Sequence, residues 1–183
     1  VGQIASRLYA MESANVVVTS RDLARSTAVA KKINEEIDAE RACGVKAAAP
    51  EEIGKAIMDS HVILAAGAAG IALLPLAVLK EHGKQCKVAA DINAIPPLGI
   101  EGLKPTHENV EILPTVWGIG ALTIGTFKNK VEAQLFKRAV ESPKGIFDYK
   151  VAYEIAKEIV LAKLRKSEEK GNLGEGARNL LPF

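Results

Sequence analysis

The 183-residue chain holds only two cysteines, Cys43 and Cys86, far apart and without C-x-x-C spacing. That excludes a disulfide framework and reads as two reduced thiols of a cytoplasmic protein. Its three histidines, His61, His82 and His107, are scattered, so no metal centre is expected. Aromatic residues are only 4% of the chain, so the core must be built from Ala, Val, Ile and Leu. Such a core suits helices on a largely parallel sheet better than a sandwich. Neither sign of charge dominates, because 24 basic residues face 22 acidic ones. Nucleic acid is therefore not an expected partner, whereas a small anionic ligand is compatible. Long apolar runs are lacking, with one exception: Val62 to Leu79 is 18 residues without a charge. Gly67, Gly70 and Pro75 split that run into a strand, a glycine turn and a short buried helix, so no membrane span is expected.

What is present is an alternation of helix and strand. Val1, Ile4, Ala5 and Leu8 recur at helical spacing, and Val16 to Thr19 is a β-branched strand. Residues 22–42 read as a helix with Leu23, Ala24, Ala28, Ile33 and Ile37 inward, and 45–48 as a short strand. Pro50-Glu51-Glu52 opens the next helix, with Pro and acids where they favour initiation. Strands follow at 61–66, 87–92 and 111–116, with a helix to about residue 82 and another over about 120–141. A last helix from about Tyr149 to Lys166 gives way to a tail rich in Gly, Asn and charge. This order predicts an α/β fold: a Rossmann-type, doubly wound parallel sheet with helices on both faces. A helix that starts behind a glycine and runs into a strand is the second half of a βαβ unit. The first strand and its glycine turn are therefore expected upstream of Val1, in a longer polypeptide. The expected domains are 1–145, N-terminally incomplete, and 146–183, a helix crossing to another domain; an extra helix on the same sheet is the alternative.

In parallel α/β sheets, ligands bind beyond the carboxyl ends of the strands. Val1-Gly2 fits the end of a G-x-G-x-x-G turn, where the helix start would hold a pyrophosphate. The second strand ends in Thr19-Ser20-Arg21-Asp22-Leu23-Ala24-Arg25, with no acid at its tip to accept from a ribose 2′-hydroxyl. Ser20, Arg21 and Arg25 instead suit a 2′-phosphate, and so NADP. The bland alternative is a serine cap with solvated arginines. Small residues at Ala66 and Gly67 would let a coenzyme lie over the sheet edge. Asn93 and Ala94, in a segment stiffened by Pro96 and Pro97, would position a nicotinamide amide. Trp117, Gly118 and Gly120 read as a glycine-rich turn beside it. Lys128 and Lys130, in the first turns of the following helix, are the candidate catalytic groups on the substrate side; solvated lysines are the alternative.

Two of these segments carry a resemblance. Asp91-Ile92-Asn93-Ala94-Ile95-Pro96-Pro97-Leu98-Gly99-Ile100, and Gly120-Ala121-Leu122-Thr123-Ile124-Gly125 with Lys128 and Lys130, resemble the NADP-dependent methylene-tetrahydromethanopterin dehydrogenases. Val1-Gly2, Ser20-Arg21 and Ala66-Gly67-Ala68 fall in register with that family's glycine turn, 2′-phosphate site and third strand end. A more distant likeness runs to the methylene-tetrahydrofolate dehydrogenases. The resemblance implies a homo-oligomer with a substrate domain preceding the dinucleotide domain. It also implies reversible hydride transfer from the methylene-bridged pterin to NADP, giving the methenyl form. A methylene-tetrahydrofolate dehydrogenase and a non-catalytic NADP(H)-binding, redox-sensing module are the alternatives.

Overall fold

The first quarter of the chain delivers helix, strand, helix and strand in turn. In the computed structural model, which describes residues 1–142 and 144–169, these are α1 (Gly2–Met11), β1 (Val16–Ser20), α2 (Leu23–Ile37) and β2 (Ala42–Lys46). There follow α3 (Pro50–Ile57), β3 (Val62–Ala65), α4 (Leu76–His82), β4 (Val88–Asp91), β5 (Glu108–Leu113), β6 (Val116–Ile119), α5 (Ala121–Glu141) and α6 (Tyr149–Glu169). The tail beyond residue 169 lies outside the described residues. No helix among those described is long and apolar enough to cross a membrane.

Two boundaries differ from expectation, each for a physical reason. The helix expected over 22–42 stops at Ile37, where Asp38 takes a left-handed φ of 52°. The side chain of Asn34 then captures the returning chain. Its Oδ1 accepts from Arg41 N (3.1 Å) and Ala42 N (2.7 Å), and its Nδ2 donates to Ala42 O (2.9 Å). The next strand therefore begins at Ala42 rather than Val45. The single strand expected at 111–116 is instead the antiparallel hairpin of β5 and β6. Its turn is Pro114-Thr115, with Thr115 at φ 66° and its N–H donating to Glu111 Oε1 (2.8 Å).

The strands form two sheets. β1 and β2 pair in parallel, Val16 opposite Ala42 and Ser20 opposite Lys46. The other sheet has the order β3–β4–β6–β5, parallel throughout except for the edge strand β5. Parallel pairing with helical crossovers makes this a Rossmann-like α/β fold. Among the described strands, β1 and β3 each pair on one side only.

The chain divides into two compact units, Val1–Gly125 and Thr126–Phe183. The first holds two cores, one per sheet. Ala10, Ala30, Ile33 and Ala42 pack beneath α1 and α2. Leu74, Leu79, Cys86, Ala89, Ile100 and Leu103 anchor the larger core around β3, β4 and β6. On α1, Ala10 is the buried residue, while Val1 and Ile4 of the expected inner face are exposed. In the second unit Arg138 pairs with Glu158, joining α5 to α6, and Ile155 is fully buried.

Candidate functional site

Register decides which residues reach the carboxyl rim of the larger sheet. Ala65 lies opposite Asp91, and Ala90 opposite Ile119. Ala66-Gly67, Ile92-Asn93 and Gly120 therefore leave three adjacent parallel strands side by side. The start of α1 meets the same rim: a Cβ on Gly2 would lie 3.3 Å from Ala66 Cβ and 3.7 Å from Ala66 O. So Gly2, Ala66, Gly67, Asn93 and Gly120 come together, with Ala94 following in the exposed part of the loop. Trp117 and Gly118 do not reach the rim. They sit opposite Val88 and Ala89, inside the sheet, because the residues expected to form a glycine-rich turn are β6 itself. Gly118 has a packing reason there, since a Cβ would stand 2.6 Å from Leu103 Cδ1. At Gly120 a Cβ would stand 2.2 Å from Lys104 O, so only glycine lets the chain enter α5 here.

The segment after β4 is fastened by Asp91, whose clamp the sequence did not reveal. Its buried carboxylate accepts from Asn93 N (2.9 Å) and from Ile100 N (3.0 Å), tying both ends of the loop to the strand tip. A Cβ on Gly99 would lie 2.8 Å from Asp91 Oδ1, which is why a glycine closes the loop. Leu73 N and Leu74 N both donate to Gly99 O (2.8 and 2.9 Å), joining this loop to the one that follows β3.

Held in this way, Asn93 is only 6% exposed, and its Nδ2 is buried without a hydrogen-bond partner among the described residues. A buried donor left unmade costs about 1–3 kcal/mol, which a ligand oxygen relieves. Asn34, the other buried asparagine among the described residues, shows the contrast: both ends of its amide are bonded.

At the tip of β1, Asp22 rather than Ser20 caps α2, its Oδ1 accepting from Ala24 N (2.9 Å). The acid nearest the strand tip is thereby turned into the helix. Ser20 Oγ accepts from Asp22 N (3.2 Å), which leaves its own O–H to donate. Arg21 and Arg25 are exposed, with no ion-pair partner among the described residues. Lys128 and Lys130 belong to the second unit, on α5. Lys128 Nζ lies 3.1 Å from Glu132 Oε1 one turn on, and both side chains are exposed.

No family model matches the chain. Two curated proteins of Methylorubrum extorquens are similar to it. The bifunctional protein MdtA is 33% identical over 148 residues, covering 81% of this chain and 50% of MdtA. An NAD(P)-dependent methylenetetrahydromethanopterin dehydrogenase is 39% identical over 113 residues, covering 60% of this chain and 37% of the relative. The chain thus spans half or less of the relatives it matches.

Proposed function

We propose that this chain, a relative of the methylenetetrahydromethanopterin dehydrogenases, is the coenzyme-binding part of an oxidoreductase. The reaction is hydride transfer between methylene-tetrahydromethanopterin and NADP, giving the methenyl form. The observation that carries the reading is the unpartnered, buried amide of Asn93 at the carboxyl rim of the parallel sheet. It is a donor fixed in place by Asp91 and short of one acceptor, as a carboxamide-bearing ring would supply. When bound, NADP accepts or returns the hydride; the residues of this chain hold it.

In this reading Asn93 orients the nicotinamide, over a floor of Ala66, Gly67, Ala94 and Gly120 too small to obstruct it. Trp117 and Gly118 support that floor from within the sheet. Val1 and Gly2 end the turn that faces the pyrophosphate, and Ser20, Arg21 and Arg25 receive the 2′-phosphate. Lys128 and Lys130 are the substrate-side groups of this reading. Direct hydride transfer needs little proton chemistry, so alignment and electrostatics carry the rate. A strand preceding α1 and lying between β1 and β3 completes the reading. Its support is that both strands are paired on one side only and that the relatives are at least twice as long as the matched region. The sheet would then run unbroken, with the helix-side reversal at the Gly2–Ala66 crevice where dinucleotides bind in such folds. Assembly as a homo-oligomer, implied by the family resemblance, and a cytoplasmic location, suggested by the two reduced thiols, belong to the same reading.

The test uses the full-length protein with methylene-tetrahydromethanopterin or methylene-tetrahydrofolate, following coenzyme reduction by absorbance. Reduction of NADP⁺ with the methanopterin is expected, and Arg21→Ala should raise the KM for NADP⁺ about tenfold while leaving NAD⁺ nearly unchanged. Coenzyme binding without turnover of either pterin would refute the enzymatic reading in favour of a redox-sensing module.

A further inference from the structure

We infer that the groove between α1 and α2 holds the 2′-phosphate of the coenzyme, and that Lys32 is a specificity residue favouring NADP over NAD. The inference rests on the NADP reading above. A cavity of about 250 Å³ opens between the two helices, walled by Gln3 and Arg7 from α1 and by Arg25 and Lys32 from α2. Its floor is apolar, formed by Ala28, Val29 and Ile33. Arg7 is held by Glu36, with Nη2 2.9 Å and Nε 2.5 Å from its carboxylate oxygens, so its charge is locally offset. Arg25 and Lys32 have no ion-pair partner among the described residues. Two uncompensated cations thus face one concavity, matching the nearly two negative charges of a phosphate monoester.

The spacing makes them a pair. Arg25, Val29 and Lys32 follow one stripe of α2, with the two cationic residues about 10 Å apart along the axis. Both carry long side chains on that stripe, and helical side chains lean toward the N-terminus. That lean carries the Lys32 ammonium toward the end of α2 where Ser20 and Arg21 lie. The apolar floor keeps water from one side of the phosphate, which strengthens its pairing with both cations. Lys31, one residue away, lies outside the cavity lining and is paired with Glu35 at 3.7 Å.

Calorimetric titration of the full-length protein with 2′,5′-ADP and with 5′-AMP decides the matter. Lys32→Ala should weaken 2′,5′-ADP about tenfold and 5′-AMP by less than about twofold, whereas Lys31→Ala should change neither. A Lys32→Ala protein that binds 2′,5′-ADP as the wild type does overturns the inference, as does an equal loss in Lys31→Ala. In either case a selective loss in Arg21→Ala leaves the NADP reading standing. A wild type that does not distinguish the two nucleotides overturns both.

Discussion

Two buried asparagines offer a matched experiment, because one is fully bonded and the other is not. Asn34 is 9% exposed and Asn93 6%. Replacing Asn34 by Ala removes the partners of Ala42 N and Ala42 O, both in a buried residue, and of Arg41 N. Each buried group left unmade costs about 1–3 kcal/mol, so Asn34→Ala should lose about 2–5 kcal/mol. Replacing Asn93 by Ala deletes a donor that has no partner in the folded chain. The backbone bond from residue 93 to Asp91 survives, since it uses the main-chain N–H. Relief of the unmade donor offsets the lost packing, and the net change should lie within about 1 kcal/mol of zero. Urea unfolding followed by circular dichroism reads both values, with equal slopes confirming that the same transition is compared. The order should reverse for NADP⁺ affinity in the full-length protein. There Asn93→Ala should lose about tenfold, and Asn34→Ala, under conditions where it is folded, should lose little. If Asn93→Ala proved as destabilising as Asn34→Ala, its amide would be serving the fold, and the case for a ligand at the rim would collapse.

Two further outcomes follow from local chemistry. Glu52 reaches back to accept from Ala48 N (2.7 Å) and Ala49 N (3.1 Å), with Lys46 Nζ 3.1 Å away, and these hold its pKa at about 2 instead of 4.5. A depressed carboxylate stabilises above its unfolded pKa and loses that contribution as pH falls through the folded one. Thermal melts of Glu52→Gln should therefore show a flatter stability loss from pH 4.5 down to about 2, and an unchanged acid slope would contradict the capping role. The two thiols should also separate. Cys43 is exposed, whereas Cys86 is fully buried and its thiol is pushed up by burial. A thiol-reactive chromophore should modify one group at once and the second only on unfolding; two fast groups would mean that the core around Cys86 opens readily.

Elements that local chemistry specifies were legible along the chain. A β-branched run marked β1, Pro50 with two acids marked the start of α3, and strand–helix alternation marked the fold class. The rim residues Ala66, Gly67 and Asn93 were legible too, because they directly follow strands whose direction is implied by a parallel sheet. Partnerships between distant residues emerged only in the folded chain. Asn34 ends a helix by bonding to residues 41 and 42, a capture with no signature in helical periodicity. Pairing with β4 and β5 made a strand of Trp117 and Gly118, where glycine content had read as a turn. Asp91 acts as a clamp only because Ile100 returns to it. Lys32 faces a groove only because α1 brings Gln3 and Arg7 across from it. Propensity and periodicity act within a few residues, whereas an unmade donor or an uncompensated charge is defined by what the rest of the chain does not supply.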